Sequence, residues 1–301
     1  MEYPISEKLD SGIILETDFC GDVDDVGALA LLCSRESTHH VPILGISINV
    51  NRPFIVPGVD AVLSFLGHKQ LPLAICEKEE ERWSPYLKEL AGTLPADRQA
   101  TLKTQRVTDF YKNILENAPD HSISILSIGF FCNLSEAYRA MPELFEQKVR
   151  CVYVMAGSFE NNSAYLEYNI REKPEDSVYF FRNCRRPLIF ITHETGIHTM
   201  TDLRGLEDRT DNPIVMAYKA YTEGSMRRPS WDPITVDFAF SGENEYYALS
   251  EAGKLTIDDA GFTFHHPEAG GNARYLIYKK TDEEIGAPLG DAMDDLIVMN
   301  D

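Results

Sequence analysis

Basic residues are scarce in this chain: Lys and Arg number 28 against 48 Asp and Glu, a formal charge of −20 at pH 7. Such a surface repels phosphate backbones, which excludes nucleic acid as a partner. No apolar run approaches the roughly 18 residues that span a bilayer, so no membrane partner is expected either. The opening Met-Glu-Tyr-Pro-Ile-Ser-Glu-Lys has no basic stretch followed by an apolar one, and a secretory signal is not expected there. The six cysteines (Cys20, Cys33, Cys76, Cys132, Cys151, Cys184) lack CxxC spacing, and reduced thiols in a cytoplasmic protein are the expectation.

Other signatures are missing too. There is no GxGxxG and no P-loop, so nothing suggests a phosphate cradle. His193-Glu-Thr-Gly-Ile-His198 sets its histidines five apart, on different faces of a helix, unlike HExxH. Ser158 follows Gly157 but lacks the closing Gly of a nucleophile elbow. No Pro/Gly/Ser-rich linker divides the chain, which predicts one domain over residues 1–301. The acidic segments 77–81 and 282–284 read as solvated surface.

What is present is an alternation. Short Ile/Val-rich runs at 12–17, 42–48, 122–128, 150–155 and 187–192 read as buried strands. Segments of helical period separate or follow them, at 25–34, 57–66, 97–118, 133–140, 174–183, 213–223 and 231–240. This predicts an α/β fold with an open, mainly parallel sheet flanked by helices. Alternating residues at 254–258 and 274–278 add a small C-terminal antiparallel appendage. Trp83, Phe110 and Tyr111 are expected to pack.

The densest chemistry lies at the first strand-to-helix junction. Asp18, Asp22, Asp24 and Asp25 fall within eight residues, and four carboxylates so close repel one another unless a cation is bound. One acid there would read as an ordinary N-cap; four read as a metal site with room for a substrate. Oxygen donors of this kind suit calcium or magnesium better than zinc. Polar residues follow other strands: Asn49 and Asn51, then Asn133, then Met155 with Asn161, Asn162, Glu167 and Asn169. Asn and Glu can set donors and acceptors against sugar hydroxyls, and in an open α/β sheet these strand ends share one mouth.

Five blocks together resemble the inosine-uridine preferring nucleoside hydrolase family. They are Ile-Leu-Glu-Thr-Asp18 through Asp24-Asp25-Val-Gly-Ala-Leu-Ala-Leu; Ile-Leu-Gly-Ile-Ser-Ile-Asn49; Ser-Ile-Gly-Phe-Phe-Cys132-Asn-Leu; Val-Met155-Ala-Gly with Glu167-Tyr-Asn169-Ile; and Ser-Trp231-Asp232-Pro. The resemblance covers about residues 12–240. It implies hydrolysis of the N-glycosidic bond of a ribonucleoside, a small-molecule substrate, on Ca2+, by an enzyme that forms a homo-oligomer and serves purine or pyrimidine salvage. By position it makes Asp18 a metal-binding acid and the base that takes a proton from water. Asp25, Asp232 and the main-chain oxygen of Cys132 become further metal ligands. Asp24, Asn49, Met155, Asn161, Glu167, Asn169 and Trp231 become substrate contacts.

The chain departs from the family pattern in three places. Asp24 follows Asp18 by six positions, where many members have four, so Asp18 and Asp22 both stand as candidates for the base, with Asp18 preferred. Trp231 occupies the place of a His that pyrimidine-cleaving members carry, and an indole cannot protonate a leaving base. Asn49 and Asn51 compete for one role beside Arg52. Two rival readings follow: a ribose- or nucleoside-binding protein that lost hydrolysis, and a metal-dependent phosphohydrolase. The second would want a Lys or Arg near the phosphate, and residues 16–34 contain none.

Overall fold

The computed structural model describes residues 12–68, 70–159 and 165–299. In chain order the strands are β1 (Gly12–Thr17), β2 (Ile43–Ile48), β3 (Leu73–Ile75), β4 (Ile123–Ser127), β5 (Val149–Met155), β6 (Leu188–Ile191), β7 (Met200–Asp202), β8 (Arg227–Pro229), β9 (Tyr247–Leu249), β10 (Gly253–Ile257), β11 (Thr263–Pro267) and β12 (Ala273–Tyr278). Ten of them form one sheet, in the order β3-β2-β1-β4-β5-β6-β12-β10-β11, with β9 also paired to β12. Every pairing from β3 to β12 is parallel, while β9, β10 and β11 run antiparallel. The antiparallel strands thus extend one edge of the main sheet. β7 and β8 make a separate two-stranded ribbon.

The five strands expected from apolar runs lie within a residue or so of their observed bounds, because a strand covered on both faces is apolar throughout. On β1, Ile13 and Leu15 join one core with Val26 and Leu29, whereas Ile14 joins another with Phe110 and Ile125. Helices therefore cover both sides. The helix expected at 97–118 is two helices, Ala96–Gln99 and Val107–Glu116. Between them Gln105 pairs with the sheet edge, its amide donating to the Leu73 carbonyl at 2.8 Å.

The acidic segment 282–284 opens a helix that periodicity reading missed, Asp282–Met299. Ile285, Leu289, Met293 and Ile297, four apart, are buried in the same core as Val26 and Leu29. Pro288 and the two glycines within it obscured the stripe. Gly286 is required where it is: a Cβ there would lie 2.6 Å from the Met200 carbonyl oxygen.

The strand order places the site. From β1 the chain turns outward through β2 and β3, then restarts on the other side of β1 with β4, β5 and β6. The carboxyl ends of β1 and β4 flank this switch point, where open α/β sheets form their crevice.

Candidate active site

Asp18 follows β1 directly, and Asp24 and Asp25 begin the helix Asp24–His39. The loop between them is tightly specified. Phe19, a buried non-glycine at φ 41°, turns its amide to donate to Asp25 Oδ1 at 3.2 Å. A left-handed conformation at such a residue costs about 1 kcal/mol or more and persists only where packing enforces it; here Phe19 meets Tyr86 edge-on at 6.5 Å. Thr17 Oγ1 donates to the same Asp25 oxygen. Both bonds go to Oδ1, which leaves Oδ2 as the oxygen available to a ligand.

Asp232 arrives from far along the chain, in the first turn of the helix Trp231–Ser241. Its amide donates to Asp24 Oδ2 at 3.2 Å, tying two helix N-termini together. Oxygens of Asp24, Asp25 and Asp232 lie within 4.8 Å of one another, and all three residues are buried. Burial pushes each of these carboxyls well above the ordinary range, and neighbouring acids push further. Two helix N-termini favour anions only in part. Three hard oxygen donors, buried and mutually repelling, fit a divalent cation of the calcium or magnesium kind. The expected metal set contained Asp18 where the geometry groups Asp24.

These acids floor a cavity of about 320 Å³. Asp18 also lines it, and burial pushes its carboxyl up to about 7, with Arg82 drawing it back and Asp22 adding to the rise. Asp22 is otherwise engaged: Arg228 Nε donates to its Oδ1 at 2.8 Å and to Oδ2 at 3.1 Å, and its main-chain oxygen accepts from the Tyr86 hydroxyl. Ile128 and Met155, at the ends of β4 and β5, form part of the wall. Asn169 is held there by its amide nitrogen, which donates to the carbonyl of Ile128 at 3.3 Å and that of Met155 at 3.0 Å. Glu167 caps the short helix Tyr168–Glu172, accepting from the amides of Asn169 at 3.0 Å and Ile170 at 3.3 Å. Burial pushes its carboxyl up to about 7.

One expected residue stands elsewhere, and this expectation is corrected. Asn49 is fully buried behind the site, bridging Glu16 Oε2 and the amide of Phe130, so its polar atoms are spent inside the fold. Cys132, whose main-chain oxygen is the expected ligand, starts the helix Cys132–Ala140, and its thiol donates to the Asn49 carbonyl at 3.4 Å. At the end of β4 it is Ile128 that borders the acids. Asn51, the competitor of Asn49, donates to the Cys76 carbonyl at 3.0 Å. Asn161 and Asn162 lie outside the described residues. Phe110 and Tyr111 pack in the core, while Trp83 is exposed beside Tyr221.

The rim is aromatic and basic, and mostly escaped sequence reading. Tyr165, Tyr168, His193, Tyr221, Arg228 and Trp231 line it. Trp231 donates from Nε1 to the His193 carbonyl at 2.8 Å, and its ring lies near parallel to the His193 ring at 6.0 Å. Gly196 permits this approach, since a Cβ there would fall 2.2 Å from the Trp231 ring. Arg82, absent from the sequence reading, stacks on Phe130 at 4.5 Å and pairs with Glu80 and Glu172. Glu80, within a segment expected to be solvated, also holds Lys173.

The family model for inosine-uridine preferring nucleoside hydrolase matches residues 13–267. The chain belongs to that family. Its fold is likewise that of solved nucleoside hydrolases. A purine-preferring ribonucleoside hydrolase from Gardnerella vaginalis superposes with a TM-score of 0.74 at 16% identity, covering 96% of this chain and 99% of that one. An inosine-guanosine nucleoside hydrolase gives 0.74 at 18% identity, with coverages of 95% and 98%. The inosine-uridine preferring enzyme from Bacillus anthracis gives 0.71 at 14%, with 95% and 99%. At these identities the structural likeness is one of fold. No curated protein sequence matches this chain. No helix among the described residues is long and apolar enough to cross a membrane, and the six cysteines are free thiols.

Proposed function

We propose that this nucleoside hydrolase family member cleaves the N-glycosidic bond of a ribonucleoside, or a related N-ribosyl compound, to ribose and free base. The observation that carries the reading is the convergence of Asp24, Asp25 and Asp232 on the floor of a cavity whose rim is aromatic. Charged oxygens lie where a sugar would sit, and flat rings lie where a base would stack.

Asp24, Asp25 and Asp232 would hold the cation, which we take to be Ca2+. When bound, it supplies a site for water and lowers the pKa of that water. The remaining steps belong to the chain. Asp18, a buried carboxyl raised to about 7, takes the proton of the attacking water; Asp22, bound by Arg228, is the poorer candidate. Breaking the C–N bond builds positive charge on the ribosyl ring, which the floor carboxylates stabilise as it develops. Asp24 and Glu167 offer carboxylate oxygens to the ribose hydroxyls, and Asn169, pinned by its nitrogen, offers its carbonyl oxygen. Met155 packs against the sugar, and Trp231 against the base. The homo-oligomer and the salvage role rest on family likeness, and the cytoplasmic location on the six scattered thiols.

The test is release of base from inosine, adenosine and uridine by the full chain, with and without a calcium chelator. Turnover that chelation abolishes and added calcium restores is the expected result. Binding of nucleosides without turnover would instead favour the nucleoside-binding reading.

A further inference from the structure

Cleaving a C–N bond makes a demand that the acidic floor does not meet. The electron pair of the bond leaves with the base, and a base departs readily only when a ring nitrogen takes up a proton. Trp231 cannot supply it: its one N–H is bound to the His193 carbonyl, and an indole is not an acid in water. Arg228 does not release a proton near neutrality and is held by Asp22. The phenols are also poor donors. Burial raises Tyr165 and Tyr221 above the ordinary range and pushes Tyr168 up to about 12.

His193 differs from all of these. Thr192 alone separates it from β6, and Asp18 follows β1, so it stands at the same mouth of the sheet. Its ring lines the cavity and is flanked by Tyr165 at 4.1 Å and 30° and by Trp231 at 6.0 Å and 23°. Its backbone is fixed on both sides, the amide donating to the Gly157 carbonyl at 2.9 Å and the carbonyl accepting from Trp231. The imidazole is thus part of the aromatic rim against which a base would lie.

We propose that His193 is the proton donor to the departing base, an inference that rests on the hydrolytic reading above. In the step, the C1′–N bond breaks with its electrons passing to the base, and His193 gives a proton to a base ring nitrogen. Water forms the new C1′–O bond and loses its proton to Asp18. His193 then regains a proton from solvent and Asp18 releases one, so nucleoside and water become ribose and base. Burial lowers the pKa of His193; Glu194 opposes this and His198 adds to it. The other groups facing the ring are Tyr165 and Trp231, with Arg228 over the Trp231 ring at 5.6 Å.

The experiment compares two leaving groups on the full chain with calcium present. Inosine needs a protonated base; 4-nitrophenyl β-D-ribofuranoside releases a phenolate that needs no proton. For His193→Gln, kcat on inosine should fall roughly 10²–10⁴-fold, while kcat on the nitrophenyl riboside changes by no more than about threefold whatever happens to KM, with circular dichroism certifying the fold. Equal losses on both substrates, or no loss on inosine, overturn the proposal. The wild type gives a second readout that needs no variant. Its inosine rate should drop as pH rises through the His193 pKa, and its nitrophenyl rate should lack that drop; superimposable profiles overturn the proposal. If the wild type cleaves neither substrate, the hydrolytic reading fails first and this inference with it. If it cleaves only the nitrophenyl riboside, hydrolysis stands and the inference alone is lost.

Discussion

The floor and the rim of the cavity are built by different means. Floor acids sit on a strand end and on the first turns of two helices bonded to each other, where backbone geometry leaves them little freedom. Rim groups come from scattered connections and lean on one another through ring contacts. Charge must meet developing charge within fractions of an ångström to be of use, whereas a flat base tolerates many stacking partners. The floor is therefore the less forgiving of the two to substitution.

Substitutions on either side should separate the two. The largest effect is expected on the floor: Asp25→Asn should lower nucleoside turnover by roughly 10²–10³-fold and abolish calcium uptake in titration calorimetry, with circular dichroism unchanged. Full turnover would remove Asp25 from the site. On the rim, Trp231→Ala should act mainly on KM, by about tenfold for a stacking loss near 1.4 kcal/mol, and leave calcium affinity intact. A matching loss of calcium binding would erase the distinction between floor and rim.

Between cavity and sheet, Gly129→Ala should cost about 1–3 kcal/mol in chemical denaturation. A Cβ there would lie 2.4 Å from the Asp18 amide nitrogen and 2.8 Å from the Thr17 carbonyl carbon, backbone atoms that cannot step aside. An unchanged midpoint would show that β1 and β4 can part at the switch point. At pH 5 the smallest change is expected beneath the floor. Glu16 is fully buried, and burial raises its carboxyl to about 8 from an ordinary 4.5, against hydrogen bonds from Tyr111, Ser47 and Asn49. A raised acid contributes its stability in full below the unfolded pKa and loses it as pH climbs through the folded one. Glu16→Gln should thus nearly match the wild type at pH 5 and gain on it as pH approaches 8. A constant difference across that range would mean Glu16 is already ionised in the folded chain.

Much of the fold was legible from residues 12–17, 122–128 and 150–155 alone, because strands buried on both faces read as unbroken apolar runs. The floor was legible for a different reason: four carboxylates at a strand end have no ordinary structural use. Asn49 misleads because a polar residue at a strand end can also face inward, and Asn49 does so by accepting from the Phe130 amide. Rim residues carry no period and no spacing, so Arg82 and Arg228 could not be placed beside Asp18 and Asp22 before the loops were folded. His193 did carry a signal. Its spacing to His198 does not fit a helical metal motif, and its position one residue past the apolar run ending at Thr192 is the informative fact for the proposal.

The bond from the Asp232 amide to Asp24 Oδ2 joins residues 208 positions apart. A ribosome extends the chain from its amino end, so the first acidic turn emerges long before the residue that closes the cluster. Through most of synthesis the nascent polypeptide carries repelling carboxylates with no cage around them. The three-acid group closes only once helix Trp231–Ser241 docks, and a product that ends short of it lacks the third acid.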